Sequence, residues 1–309
     1  MVGTDTSLNY LLRNRDFLFF IIGRFSNVVG VQILTVAVGW HVYQLTRDPL
    51  DLGYIGLAQF LPALFLFLIA GYVSDKYDRR IILFFCNIAH FIVVVMLMLA
   101  LWGEYNDVRI IFGILVLHGA ARAFFHTAGQ AILPNIVSTE AFPKAVAYSS
   151  SVNKAAQLIG PALGGGLIAW AGDWTYYVTL SMFALSALSS IIIAAWLKLE
   201  TPDKMTFSTL LGGFNFIWKD KIVLGAISID LMAVLLGGIM GLLPIYASDI
   251  LNVGADGLGI MRAMPGVGSL IMGLWLTQIV SPRFIGPSLF ISLLIFGFSI
   301  IVFSVSEIF

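Results

Sequence analysis

Charge is scarce in this chain. Asp, Glu, Lys and Arg make up 11% of its 309 residues, against about 25% in an ordinary soluble domain. No segment is polar enough to form a water-soluble globule. Cysteine is all but absent: Cys86 stands alone inside an apolar run, which excludes a disulfide framework and any thiol-based metal site. Seventeen basic and seventeen acidic side chains cancel to a net charge of zero, so no electrostatic footprint for nucleic acid exists. The sequence has no His-Glu-x-x-His, no acid cluster, and no nucleophile with a base at matched depth. Neither catalytic residues nor a metal or other cofactor are therefore expected, and the chain does not read as an enzyme. Residues 1–14 are polar, and the apolar run after them is too long for a signal-peptide core.

What is present is apolar surface. Hydrophobic residues make up 59% of the chain, and the mean hydropathy is +0.95. Runs of about 20 apolar residues are membrane-spanning helices. Nine are expected, over 17–45, 52–73, 81–102, 108–133, 144–171, 174–197, 222–247, 257–279 and 285–306. The fold is thus an all-α, multi-pass helical bundle in a lipid bilayer. Basic residues set its orientation. With the N-terminus in the cytoplasm, eleven of the seventeen fall inside, only Arg47 and Arg109 fall outside, and Arg24, Arg122, Lys154 and Arg262 lie within helices. Trp40, Trp102, Trp170 and Trp174 fall near the outer interface, where aromatic belts form.

The longest polar stretch divides the chain into an N-terminal six-helix bundle (1–197), a cytoplasmic linker (198–221) and a three-helix part (222–309). A weak echo supports the division. The first helix ends in Val42-Tyr43 and the second opens with Asp51-Leu52-Gly53; the seventh ends in Ile245-Tyr246 and the eighth opens near Asp256 and Leu258-Gly259.

Between the second and third helices stands Gly71-Tyr72-Val73-Ser74-Asp75-Lys76-Tyr77-Asp78-Arg79-Arg80. Asp75 is placed to accept from N–H groups at a neighbouring helix start, and Arg79 and Arg80 to anchor at the anionic inner membrane surface. This stretch resembles the signature loop of the major facilitator superfamily, Gly-x-x-x-Asp-Arg/Lys-x-Gly-Arg-Arg, with Asp78 in place of the second glycine. That substitution is similar to the exporter branch holding the enterobactin exporter and macrolide efflux proteins. In the fifth helix, Gly160-Pro161-Ala162-Leu163-Gly164-Gly165 resembles the Gly-Pro-x-x-Gly-Gly core of the superfamily's antiporter motif. Small residues let helices approach closely, and Pro161 permits a bend. In the fourth helix Arg122 partly resembles a third motif, although Phe125 and His126 replace its Gln-Gly.

The resemblance implies a secondary active transporter in the cell (inner) membrane that exports a small amphipathic molecule (siderophore, drug or metabolite) by rocking of two bundles, with the proton as coupling ion. It also implies twelve helices, so about nine of twelve are present and three are expected beyond Phe309. The alternative is a truncated, non-transporting membrane protein or a partner-binding scaffold.

Ionisable groups within the hydrocarbon are costly and functional by default. Asp230 is the only acid inside a helix core, at a depth similar to Arg24. Asp230, Arg24 and Arg122 are the candidates for proton coupling. Lys154 and Gln157, three apart on one helix face, are candidates for the substrate cavity, together with Asn27 and Gln32. His118 and His126 are eight apart and expected to bond within the bundle, and Arg262 to snorkel outward.

Overall fold

The computed structural model describes residues 8–103, 107–194, 218–236, 238–279 and 285–306. Its long helices are α1 (Arg15–Thr46), α2 (Pro49–Lys76), α3 (Arg79–Trp102), α4 (Val108–Ala131), α5 (Phe142–Ala171), α6 (Trp174–Ile192), α7 (Lys221–Leu236), α8 (Gly254–Ile279) and α9 (Ile285–Val305). Among the described residues there is no strand. Most of the expected linker, 198–217, lies outside them.

The acids at the polar breaks set where helices begin. The side chains of Asp48, Asp78 and Asp107 accept from the N–H groups of Leu50, Arg80 and Arg109, each at 2.9 Å. They satisfy donors that a helix start leaves unpaired. Asp78, the departure from the superfamily loop, is therefore the N-cap of α3.

The seventh span differs from the single helix expected over 222–247. Helix α7 ends at Leu236, and a 3-10 turn at Gly238–Gly241, a short helical turn at Leu243–Ile245 and a π turn at Tyr246–Ile250 follow. Two glycines weaken this stretch and Pro244 lacks a backbone donor. Pro62, Pro161 and Pro265, by contrast, sit inside continuous helices.

Seven stretches are long and apolar enough to cross a membrane: α1, α2, α3, α4, α6, Val223–Ile250 and Ser288–Val305. The two long helices outside this group, α5 and α8, pack against one another. Surface covered by protein need not be apolar enough for lipid. Helix α1 packs on α5 and α6, α3 on α4 and α6, and α2 on α4. Buried clusters fill the space between these helices, the largest reaching Leu243 and Leu258 beyond α6. It also holds Leu34, Val38, Val94, Leu97, Leu115 and Phe183; another holds Phe17, Phe20, Leu83, Ala128, Ile132 and Ile193. Exposed side chains such as Phe60, Phe65, Leu99, Leu294 and Phe298 are apolar, as a lipid-facing surface requires. Neither α7 nor α9 has a buried residue among those described.

Candidate functional site: a cation-lined cavity and its helix seams

The glycine motif of α5 is a two-sided seam. A Cβ on Gly160 would lie 2.6 Å from Gln32 Cβ, and one on Gly164 would lie 3.1 Å from Ile33 Cα, both on α1. One on Gly165 would lie 2.6 Å from Gly259 Cα, on α8. Helix α5 thus touches α1 through two motif glycines and α8 through the third. Pro161 is buried in the seam.

Beside this seam lies a cavity of about 530 Å³ lined by α1, α2, α5, α8 and residues 240–241. Its polar lining includes Gln32, Thr35, Gln59, Lys154, Gln157 and Arg262, set among apolar Val36, Leu52 and Ile55. A second cavity, about 390 Å³, shares Gln32 and Gln157 and is lined further by Arg24, Asn27, Arg122 and His126. Arg122 and His126 also border a third space of about 360 Å³ between α2 and α4.

The structure therefore brings Arg24, Arg122, Asn27, Gln32, Lys154 and Gln157 to two adjoining cavities. Gln32 Nε2 donates to the Gln157 carbonyl at 3.4 Å, and Arg24 Nη1 donates to the Gly129 carbonyl at 3.3 Å. Asn27 Nδ2 donates to Asn87 Oδ1 at 2.8 Å, which ties α1 to α3. Asp230 is not among these groups: it is exposed on α7 and lines neither cavity.

Arg262 corrects the expected outward snorkelling. It lines the larger cavity, and a Cβ on Gly39 of α1 would lie 3.4 Å from its Nη2. Gly259 and Gly266 pack onto α5, and Arg262 falls between them on the same helical face, so it turns inward with that face. Its Nε is buried without a hydrogen-bond partner.

The signature loop is held by helix ends. Arg79 donates to the carbonyls of Ser74 and Ala131, each at 2.9 Å, and to Asn135 Oδ1 at 2.5 Å. Arg80 donates to Asp78 Oδ2 at 2.6 Å and to the Ile193 carbonyl at 2.8 Å. Both guanidinium groups thus reach carbonyls at or just beyond the ends of α4 and α6, where unpaired acceptors and the helix dipole favour a cation. Asp75 is exposed and pairs loosely with Arg79 at 3.8 Å. Lys76 lies over the rings of Tyr72 and Tyr77, and a Cβ on Gly71 would meet nothing within 4 Å. Burial alone would push the Asp78 carboxyl up, but the Arg80 hydrogen bonds, with the charges of Arg80 and Arg79, hold it below its usual value.

At the opposite ends of the helices, Tyr43 donates its hydroxyl to Asp249, and Arg47 pairs with Asp249 Oδ1 at 3.1 Å and Ser248 Oγ at 2.9 Å. These contacts fasten α1 to the π turn after α7. Arg47 itself caps α1 in the left-handed region, at φ 53°.

Sequence reasoning missed one pair. His118 does bond within the bundle, to His90 of α3, with Nδ1 atoms 3.0 Å apart and both Nε2 atoms buried and unpartnered. His126 faces Gln130 at 3.3 Å. Among the described residues, no group of three His, Cys, Asp or Glu side chains is arranged to hold a metal.

Comparison with known proteins fits this geometry. The Multidrug efflux pump Tap of Mycobacterium tuberculosis is 30% identical over 237 residues, covering 71% of this chain and 55% of Tap. The uncharacterized MFS-type transporter YfiS of Bacillus subtilis is 26% identical over 200 residues, covering 62% of this chain and 45% of YfiS. The Staphyloferrin A transporter of Staphylococcus aureus is 21% identical over 300 residues, covering 92% and 72%. The chain spans about half the length of Tap and YfiS. A profile of the Major Facilitator Superfamily matches residues 20–309, and with the glycine seam and the arginine-clamped loop at their helices the chain belongs to that superfamily of transporters.

Proposed function

We propose that this chain exports a small amphipathic molecule by secondary active transport, coupled to the proton. The observation that carries this reading is the pair of adjoining cavities, mixed polar and apolar, between α1, α2, α4, α5 and α8. The names of two relatives, a multidrug efflux pump and a staphyloferrin A transporter, suggest a drug or siderophore-like substrate. The six helices to residue 197 would act as one rocking bundle, joined by a linker over 198–221 to the part beginning at 222. The N-terminus would lie in the cytoplasm, following the distribution of Lys and Arg. Asp230 would carry the proton, with Arg24 and Arg122 tuning the cavity field as the bundles move.

Dye retention in cells expressing the chain tests the reading. Expressing cells should retain less of an amphipathic fluorescent dye than vector controls, and a protonophore should abolish the difference. Asp230→Asn should remove the protonophore-sensitive part while leaving membrane insertion unchanged; unaltered coupling would end that role for Asp230. A second reading, a non-transporting scaffold, is favoured by the absence of buried residues from the described parts of α7 and α9. Retention equal to vector controls would select it.

A further inference from the structure

Among the described residues, no acid neutralises the cations of the cavities. Arg24, Arg122, Lys154 and Arg262 line the two adjoining spaces. No carboxylate lines either space. The ion pairs among the described residues are Arg47–Asp249, Arg79–Asp75 and Arg80–Asp78. All three lie at helix ends, and none uses a cavity cation. Arg122 and Lys154 are exposed within these spaces, whereas Arg24 and Arg262 are partly buried, and withdrawing a cation from water without a counter-charge is costly. Arg262 carries that cost most visibly, because its Nε is a buried donor with no acceptor.

The neutral polar lining adds both donors and acceptors, from Gln32, Gln59 and Gln157. Apolar Val36, Leu52 and Ile55 complete the wall. The missing elements are an acceptor for Arg262 Nε and negative charge, next to a surface suited to hydrocarbon. A carboxylate supplies both, because it accepts two parallel hydrogen bonds from a guanidinium.

We infer that the cavity binds an amphipathic organic anion, with its carboxylate held between Arg262 and Lys154 and its apolar body against Val36, Leu52 and Ile55. This inference rests on the reading of the cavity as the place where the transported molecule binds. Arg24 and Arg122 extend the positive field into the adjoining space, so an anion leaving Arg262 meets a second pair of cations. A lipophilic cation of the same shape is rejected by the same charges.

The test compares three probes of one shape: 1-naphthoate, neutral 1-naphthamide and cationic 1-naphthylmethylammonium. Binding to the purified chain in lipid nanodiscs is measured by equilibrium dialysis against empty nanodiscs. Naphthoate should bind at least about tenfold more tightly than either other probe, and its affinity should fall with added salt. Arg262→Gln should bring naphthoate to within roughly threefold of naphthamide, and Arg262→Lys should restore part of the difference. Thermal unfolding and a single symmetric elution peak like those of the parent chain check that both variants are folded. Should Arg262→Gln fail to insert, Lys154→Gln carries the same expectation with a smaller loss. Equal binding of the three probes, or preference for the ammonium, would overturn the anionic ligand while leaving the cavity a site for amphipathic molecules. Binding of none of them would overturn both that reading and this inference.

Discussion

Gly165 and Gly259 meet backbone to backbone: a Cβ on Gly165 would lie 2.6 Å from the Cα of Gly259, and one on Gly259 would lie 2.8 Å from the Cα of Gly165. No flexible side chain stands between α5 and α8 at this point to absorb an added methyl. Gly165→Ala should therefore destabilise the chain by about 1–3 kcal/mol through overpacking. The adjacent Gly166 has nothing within 4 Å of its Cβ position, so Gly166→Ala should be neutral or stabilising by up to about 1 kcal/mol. Thermal unfolding in detergent checks the pair; equal responses would show that the glycines do not set the approach of the two helices.

Arg79 and Asp75 should separate stability from movement. Arg79→Gln removes the guanidinium donors to Ala131 and Asn135 and should cost about 1–3 kcal/mol, because partly buried acceptors lose their partners. Asp75 is 62% exposed and 3.8 Å from Arg79, so Asp75→Asn should cost no more than about 1 kcal/mol. If the loop is a gate, Asp75→Asn should slow dye efflux by more than its expression falls. Normal efflux in that variant would leave the loop a structural clamp.

Asp78 links the same loop to pH. Its carboxyl is held below the usual value, so the folded state is favoured by its ionisation above the unfolded value near about 3.9. That contribution is lost as pH falls through the lower, folded value. Asp78→Ala should cost about 1 kcal/mol at neutral pH through loss of the N-cap and should flatten the acid limb of a stability-against-pH profile. An unchanged acid limb would remove Asp78 from the account.

The Tyr43–Arg47–Asp249 contacts should respond to salt unevenly. Arg47 and Asp249 are 54% and 44% exposed, so a double-mutant cycle of Arg47→Ala and Asp249→Ala should give a coupling of about 0.2–1 kcal/mol at low salt. That coupling should fade near 1 M, where the screening length falls to about 3 Å. The cycle with Tyr43→Phe should persist, since it reports a directional hydrogen bond. Equal loss of both couplings would show that only net charge acts there.

The spans were legible because apolar runs and capping acids are local signals: Asp48, Asp78 and Asp107 each stand one residue ahead of their helix. The glycine motif was legible as a place of close approach, but its division of labour was not. That Gly160 and Gly164 face α1 while Gly165 faces α8 depends on which helices lie on either side. The same reason hid the His90–His118 bond, which crosses between α3 and α4, and the inward turn of Arg262. The change from α-helix to 3-10 and π turns was foreshadowed by Gly238, Gly241 and Pro244, yet Pro62, Pro161 and Pro265 show that such residues also occur within continuous helices.

The flat contact between α5 and α8 has a mechanical consequence. Ordinary helix pairs interlock ridges into grooves and so have preferred registers; shifting one past the other lifts side chains out of their seats. Where Gly165 meets Gly259 there are no teeth at that point, and the two helices bear on each other as smooth rods. Such a bearing surface resists separation through close backbone contact and serves as a pivot, while axial sliding would lift Leu158 of α5 from its seat against Gly266 of α8.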